Sequence, residues 1–256
     1  MKIHFIGTGS AKTSLNNYHT SLLISSHKYN LLIDTGDGIS RALLQSSIDF
    51  NSINGILLTH LHPDHFSGLA SLLVQMKLCK RKNPLTIFIH QELKKPVEDF
   101  IYQSYLFYER MDFKIIYKTF IQNDKIEVAE SLAFISRKNS HLVQYEQYDI
   151  EHKLSFYSGS FLFTCEGVNI FFTGDVGSEK DLLIFNDHLI DILISEVTHL
   201  NFESLIEFKF NHKSTKIFLV HIDEKNIESS DLIIKNNTKE LIREFTIAND
   251  GLIVSN

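Results

Sequence analysis

One stretch constrains this chain more than any other: Leu57-Leu58-Thr59-His60-Leu61-His62-Pro63-Asp64-His65-Phe66-Ser67-Gly68-Leu69. An apolar run reads as a strand and a helical pattern begins near Gly68, with four potential metal ligands between them at positions 60, 62, 64 and 65. His60 and His62 are two apart, so in an extended segment both imidazoles leave the same face and can grip one ion. Pro63 fixes φ and turns the chain, aiming Asp64 and His65 in a new direction, where a second ion is their natural use. Gly68 lets the following helix approach closely. A lone histidine here would cap and hydrogen-bond the loop; three histidines and an aspartate at this spacing argue for metal.

The rest of the composition says what else can hold it. The 256 residues include 13 His but only 2 Cys, at 79 and 165. Two cysteines make neither a disulfide framework nor a thiolate metal site, and they fit a reducing cytosol; both are expected as small buried hydrophobes. Histidine and carboxylate must therefore carry any metal. No apolar run approaches the roughly 20 residues that span a bilayer, and no secretory leader follows Met1, so the expectation is cytoplasmic, with no membrane partner. With 25 Lys+Arg against 31 Asp+Glu the net charge is −6, which argues against whole-surface attraction to nucleic acid. Lys77, Lys80, Arg81 and Lys82 form the dense basic cluster, read as cations in and just after a helix's last turn, where the dipole favours them.

Short apolar runs predict strands at Lys2–Ile6, Tyr18–Ile24, Asn30–Ile33, Gly55–Leu58, Leu85–Ile89 and Phe113–Tyr117. Others are predicted at Leu132–Ile135, Ser160–Cys165, Asn169–Thr173, Ile190–Ile194, Lys216–Val220 and Gly251–Val254. Helical spacing falls at Ile39–Gln45, Gly68–Lys80, Glu92–Tyr108, Asp181–Phe185, Phe202–Phe210 and near Asn236–Ile242. Tyr102, Tyr105, Phe107 and Tyr108 are expected on an apolar helix face packed against a sheet. Neither a tandem repeat nor a linker interrupts the pattern, so residues 1–256 read as one domain. Strands, then strand–helix alternation, then strands and alternation again suggest an α/β, four-layer αββα sandwich: two mixed sheets with helices outside.

The segment His60-x-His62-x-Asp64-His65 resembles the signature of the metallo-β-lactamase fold superfamily of metal-dependent hydrolases, and the likeness extends over nearly the whole chain. Ile3-His4-Phe5-Ile6-Gly7-Thr8-Gly9 is similar to its opening strand and glycine turn, and Leu32-Ile33-Asp34-Thr35-Gly36 to its next landmark. The resemblance implies the αββα sandwich, a site at the edge between the sheets, and two divalent ions, zinc first, with Mn2+ or Fe2+ as alternatives. It also implies a third histidine, an aspartate after a glycine, and a last histidine after a late strand. Gly174-Asp175 after Ile170–Thr173 fits the aspartate, whose two oxygens can bridge both ions, and His221 after Lys216–Val220 fits the last histidine. For the third, His141 in Ser140-His141-Leu142 is preferred on its strand placement, with His152 as rival. Asp34 is implied as a hydrogen-bonding support of the site, or else an ordinary turn aspartate.

Two ions about 3.5–4 Å apart can share a water and lower its pKa toward 7, giving a metal-bridged hydroxide as nucleophile. Asp64 can take its proton. The His-Pro-Asp-His form resembles the phosphodiesterase branch, which includes ribonuclease Z, so a phosphodiester of a small molecule or nucleotide is the expected substrate. Against ribonuclease Z itself, the stretch Ser195-Glu196-Val197-Thr198-His199 stands where that family has His-Glu-Ala-Thr, and a long Gly- and Lys-rich insertion is missing. His199 is the candidate to protonate the leaving group. These departures and the charge point to a small-molecule substrate and no nucleic-acid signal, and leave room for a homodimer. The alternatives are a lactone, thioester or β-lactam hydrolase, a mononuclear iron dioxygenase, and a non-catalytic module on the same fold.

Overall fold

The structure is a computed structural model describing residues 1–223 and 244–255. In the first sheet β1 (Lys2–Gly7), β2 (Ser21–Ser26), β3 (Tyr29–Ile33), β4 (Gly55–Leu57), β5 (Leu85–His90) and β6 (Ile115–Phe120) follow one another, and β14 (Ile253–Ser255) flanks β1. The second orders β7 (Lys125–Ala129), β8 (Leu132–Lys138), β9 (Gly159–Cys165), β10 (Val168–Phe172), β11 (Ile192–Glu196), β12 (Lys216–Val220) and β13 (Phe245–Ile247) side by side. Both sheets are mixed in the same way: β3 to β6 and β10 to β13 are parallel, and the remaining pairings antiparallel.

The period-2 alternation of apolar residues explains the layering. In β10, Ile170 and Phe172 enter the core between the sheets, while Phe171 joins an outer core with Leu205 and Phe208 of α5 (Phe202–Asn211). In β12, Phe218 and Val220 face inward, and Ile217 and Leu219 outward. On the first sheet pack α1 (Ile39–Gln45), α3 (Leu69–Leu78) and α4 (Gln91–Gln103). The expected α/β architecture of two mixed sheets with helices is therefore present.

Several local expectations need correction. The segment after β5 stops being helical at Gln103, because the apolar stripe Leu93, Val97, Ile101 ends there and Tyr105 turns left-handed at φ 59°. Tyr102, Tyr105 and Tyr108 are consequently exposed and do not pack on the sheet. Arg81 does follow the last turn of α3, but it is buried, its guanidinium donating to the carbonyls of Asn83 and Pro84 in its own loop at 2.8 and 2.9 Å and to that of Asn51 at 3.4 Å, so it ties this loop to the one before β4. Cys165 is buried as expected, but Cys79 is exposed at the end of α3. The expected helix at Asp181–Phe185 is a single 3-10 turn over Glu179–Leu183, started by a capping box between Ser178 and Asp181. Strands β7, rich in charge, and β13, three residues long, are edge strands that show little apolar pattern. The helical pattern near Asn236–Ile242 lies outside the described residues. Among the described residues no helix is long and apolar enough to cross a membrane.

Candidate metal centre

After β4 the chain leaves the sheet in extended form through Thr59, His60 and His62, then Pro63 opens the single-turn helix α2 (Pro63–Phe66), which carries Asp64 and His65. The loop after β3 straps this turn from below. Thr35 N donates to His65 O at 2.7 Å and Gly68 N donates to Thr35 O at 2.8 Å. The approach leaves no room for side chains: a Cβ on Gly36 would lie 1.8 Å from Asp64 O, and one on Gly68 would lie 2.2 Å from Gly36 O. At the start of this strap Asp34 adopts a left-handed φ of 60° and is fully buried. Its carboxylate accepts from Thr59 N and Thr59 Oγ1, both at 2.8 Å, and from His65 Nδ1 at 2.7 Å. Asp34 thus orients the ligand loop.

The second sheet brings its residues from the carboxyl ends of three mutually parallel strands: His141 after β8, Asp175 after β10 and His221 after β12. Gly174 turns left-handed at φ 59° to aim Asp175, and His221 does the same at φ 56°. Asp181 accepts from Ser140 Oγ at 2.7 Å and Gly177 N at 2.9 Å, joining the loops of His141 and Asp175. Glu196, also buried, accepts from Val176 N at 3.0 Å and from His199 Nδ1 at 2.8 Å.

Together these loops form two groups: His60, His62, His141 and Asp175, and Asp64, His65, Asp175 and His221, with the ligand atoms of each lying within 4.8 Å of one another. Asp175 belongs to both. Its Oδ1 lies 3.2 Å from His65 Nε2, and its Oδ2 lies 3.3 Å from His221 Nε2 and 3.7 Å from His141 Nε2. His152, the rival of His141, is an exposed loop residue outside both groups. His199 stands at the rim, its ring 5.1 Å from that of His141 and 6.0 Å from that of His221.

The hydrogen bonds assign the imidazole tautomers. Thr59 Oγ1 gives its proton to Asp34, so His60 Nδ1 donates to Thr59 Oγ1 at 3.0 Å. Thr20 Oγ1 gives its proton to Gly9 O, so His221 Nδ1 donates to Thr20 Oγ1 at 3.3 Å. His65 Nδ1 donates to Asp34, and His141 Nδ1 to Val176 O at 3.3 Å. The Nε2 atoms of these four histidines thus face one space: His60 Nε2 is buried with no hydrogen-bond partner, His65 Nε2 lies 3.3 Å from Asp64 Oδ2, and His141 Nε2 lies 3.1 Å from His62 Nδ1. A buried polar atom left unpaired costs about 1–3 kcal/mol, so the orphaned His60 Nε2, set among convergent imidazoles and carboxylates, calls for a cation. These residues fit divalent metal.

Electrostatics separate the two groups. Burial, reinforced by the neighbouring His62 and His199, holds His141 down at about 4, against the pull of Asp175. Burial likewise lowers His60 and His62. His65 goes the other way: burial lowers it, but Asp175 and Asp34 together raise it well above the usual imidazole range. Burial raises Asp64, yet the bond and charge of His65 bring it to about 2. The Glu196 hydrogen bond raises His199 despite its partial burial.

A two-sheet sandwich with a His/Asp cluster at the strand ends defines a metallo-β-lactamase fold protein. The crystal structure of the metallo-β-lactamase fold protein YhfI from Bacillus subtilis matches it at TM-score 0.75 and 18% identity over 99% of this chain and 98% of that one. Human tRNase Z, short form, matches at TM-score 0.73 and 19% identity over 100% and 99%. Within this fold, the family model described as "Anti-Pycsar protein Apyc1" matches residues 1–247, and the chain belongs to that family.

Among curated relatives, ribonuclease Z of Methanococcus aeolicus is 35% identical over 115 residues, 45% of this chain and 35% of that protein. Ribonuclease Z of Sulfurisphaera tokodaii is 23% identical over 273 residues, 91% of each. The aligned part thus spans about a third of the M. aeolicus relative's length. These relatives overturn the expectation of a small-molecule substrate with no nucleic-acid signal, since ribonuclease Z and tRNase Z are by name enzymes of RNA. Net charge averages the whole surface and does not report the field at one cleft, which is why it misled.

Proposed function

We propose that this protein is a metal-dependent hydrolase of nucleotidyl phosphodiesters, RNA included, built on two divalent ions, zinc first. The observation that carries the reading is the convergence of two His/Asp groups, through the Nε2 atoms of His60, His65, His141 and His221, on Asp175, a carboxylate common to both. His60, His62, His141 and Asp175 hold one ion; Asp64, His65, His221 and Asp175 hold the other. Divalent ions held there would supply Lewis-acid chemistry, lowering the pKa of a water toward about 7. Asp64, kept ionised at the site, can accept a hydrogen bond from an attacking water and orient it. His199, held by buried Glu196 and kept near its protonated form, donates from Nε2 to the departing oxygen. A nucleoside alkoxide leaves poorly without such a proton, whereas an activated ester or thioester has little need of it, which favours the phosphodiester over the carbonyl substrates. The ribonuclease Z relatives support the same class. Cys79 and Cys165, one exposed and one buried, carry no part of this chemistry and fit a reducing cytosol.

The test loads the chelated protein with Zn2+ or Mn2+ and compares turnover of bis(p-nitrophenyl) phosphate and an oligoribonucleotide with that of a lactone and a thioester. Phosphodiester cleavage that chelator abolishes and metal restores is expected. Loaded protein that leaves both phosphodiesters intact while opening the lactone would sink the reading. Anomalous scattering at the metal edges counts and identifies the ions.

A further inference from the structure

A cleft of about 790 Å3 opens beside the metal centre, between the first turns of α4 and residues 142–157. One end is His62, a ligand of the first group; the walls are Leu61, Leu93, Pro96, Leu142, Phe156 and Tyr157. Tyr157 is a rigid back wall: its ring stacks parallel on His90 at 3.7 Å and 3°, and its hydroxyl lies 2.8 Å from Ser136 Oγ. Tyr145 lines the cleft from the 3-10 helix Val143–Tyr148, its ring perpendicular to that of His62, with centroids 5.6 Å apart.

The cations at the rim are already paired, and the remaining carboxylate is hydrogen-bonded. Lys95 pairs with Asp99, Lys153 pairs with Glu151, and Glu92 accepts from Ser155 Oγ at 2.6 Å. A cleft meant for a second phosphate would present unmatched cations, as phosphate-tracking grooves do. This one presents apolar walls, one half-exposed aromatic ring and a rim with no unpaired cation, the setting for a flat neutral group. Because His62 lines both the cleft and the first ligand group, a group held in the cleft lies beside a phosphate seated at that group.

We infer that this cleft is the base-binding subsite, in which Tyr145 stacks on the nucleobase adjoining the scissile phosphate. The inference rests on the phosphodiesterase reading and adds to it a residue that selects substrates bearing a base over bare sugar phosphates. Base–aromatic stacking lost on truncation to alanine weakens binding about 5- to 100-fold.

The test is calorimetric binding of adenosine 5′-monophosphate and of ribose 5-phosphate to the zinc-loaded full chain. Wild type should prefer the nucleotide by about 5- to 100-fold. Tyr145→Ala should abolish that preference while leaving ribose 5-phosphate binding within about twofold, and Tyr145→Phe, which keeps the ring, should retain it. A wild type that binds both equally or binds neither, or a Tyr145→Ala protein that keeps the preference, overturns the inference. Because this readout is binding and not turnover, hydrolysis of bis(p-nitrophenyl) phosphate by the same preparation keeps the parent reading separate.

Discussion

The first sheet delivers His60, His62, Asp64 and His65 from a single loop, whereas the second delivers His141, Asp175 and His221 singly, from the ends of three strands. In the first, chain geometry does the placing: an extended stretch, a proline and one turn of helix aim four side chains, and Asp34 with the Gly36–Gly68 contact holds them from beneath. In the second, nothing local relates the three residues. Parallel strands set their spacing, and two buried carboxylates, Asp181 and Glu196, tie their loops. The difference teaches that one half of the site is encoded as a motif and the other as a fold, so the two halves should fail in different ways.

The largest effect should come from the residue on which the halves meet. Asp175→Ala removes a donor from both groups, so metal content measured by plasma mass spectrometry should fall below one ion per chain, and phosphodiester turnover should drop on the order of 10³-fold or more. Retention of both ions would break the assignment of a shared carboxylate. His62→Ala and His221→Ala should instead each lose mainly one ion, since each residue belongs to a single group.

Next comes the support of the first half. Asp34→Ala leaves the donors of Thr59 and His65 buried without an acceptor, and should lower metal affinity about 10- to 100-fold while destabilising the chain by about 1–3 kcal/mol. Chelator competition and a thermal melt measure the two; unchanged metal affinity would reduce Asp34 to an ordinary turn residue.

Acidity should distinguish the groups as well. His141, held at about 4, is already neutral at pH 7, and so are His60 and His62, lowered by burial, so the first group binds metal without displacing protons. Its affinity should stay flat from about pH 8 to 6 and fall as the medium approaches the His141 value. His65 is raised well above the usual range in the metal-free chain, so a metal must displace its proton. Affinity at the second group should therefore climb with pH, by about tenfold per unit while His65 is still protonated. Calorimetry in buffers of different ionisation enthalpy should count about one proton released with the second ion and almost none with the first. Equal release for both would erase the contrast.

The smallest effect is expected at the tie in the second half. Asp181→Asn weakens the acceptor for Ser140 and Gly177 without emptying the space, and should cost about 0.5–1.5 kcal/mol of stability. It should loosen His141 more than His221, which a Co2+ spectrum of each group can resolve; equal broadening of both would mean that Asp181 supports the sheet and not this loop.

By itself the sequence determined the near-contiguous candidate ligands at 60–65, the strand-glycine-aspartate pattern at Asp175, and the alternation that sends Ile170 and Phe172 one way and Phe171 the other. All of these are relations among residues a few positions apart, set by backbone geometry and hydrophobic periodicity. Only the tertiary structure places His141, and not His152, beside Asp175, because that proximity arises between strands and both histidines follow plausible chain contexts. Tertiary packing alone also turned Arg81 inward onto loop carbonyls, left Tyr102, Tyr105 and Tyr108 in solvent, and gave Asp181 and Glu196 their tying roles. Such roles depend on which loops meet across the sandwich, and no short-range pattern records that.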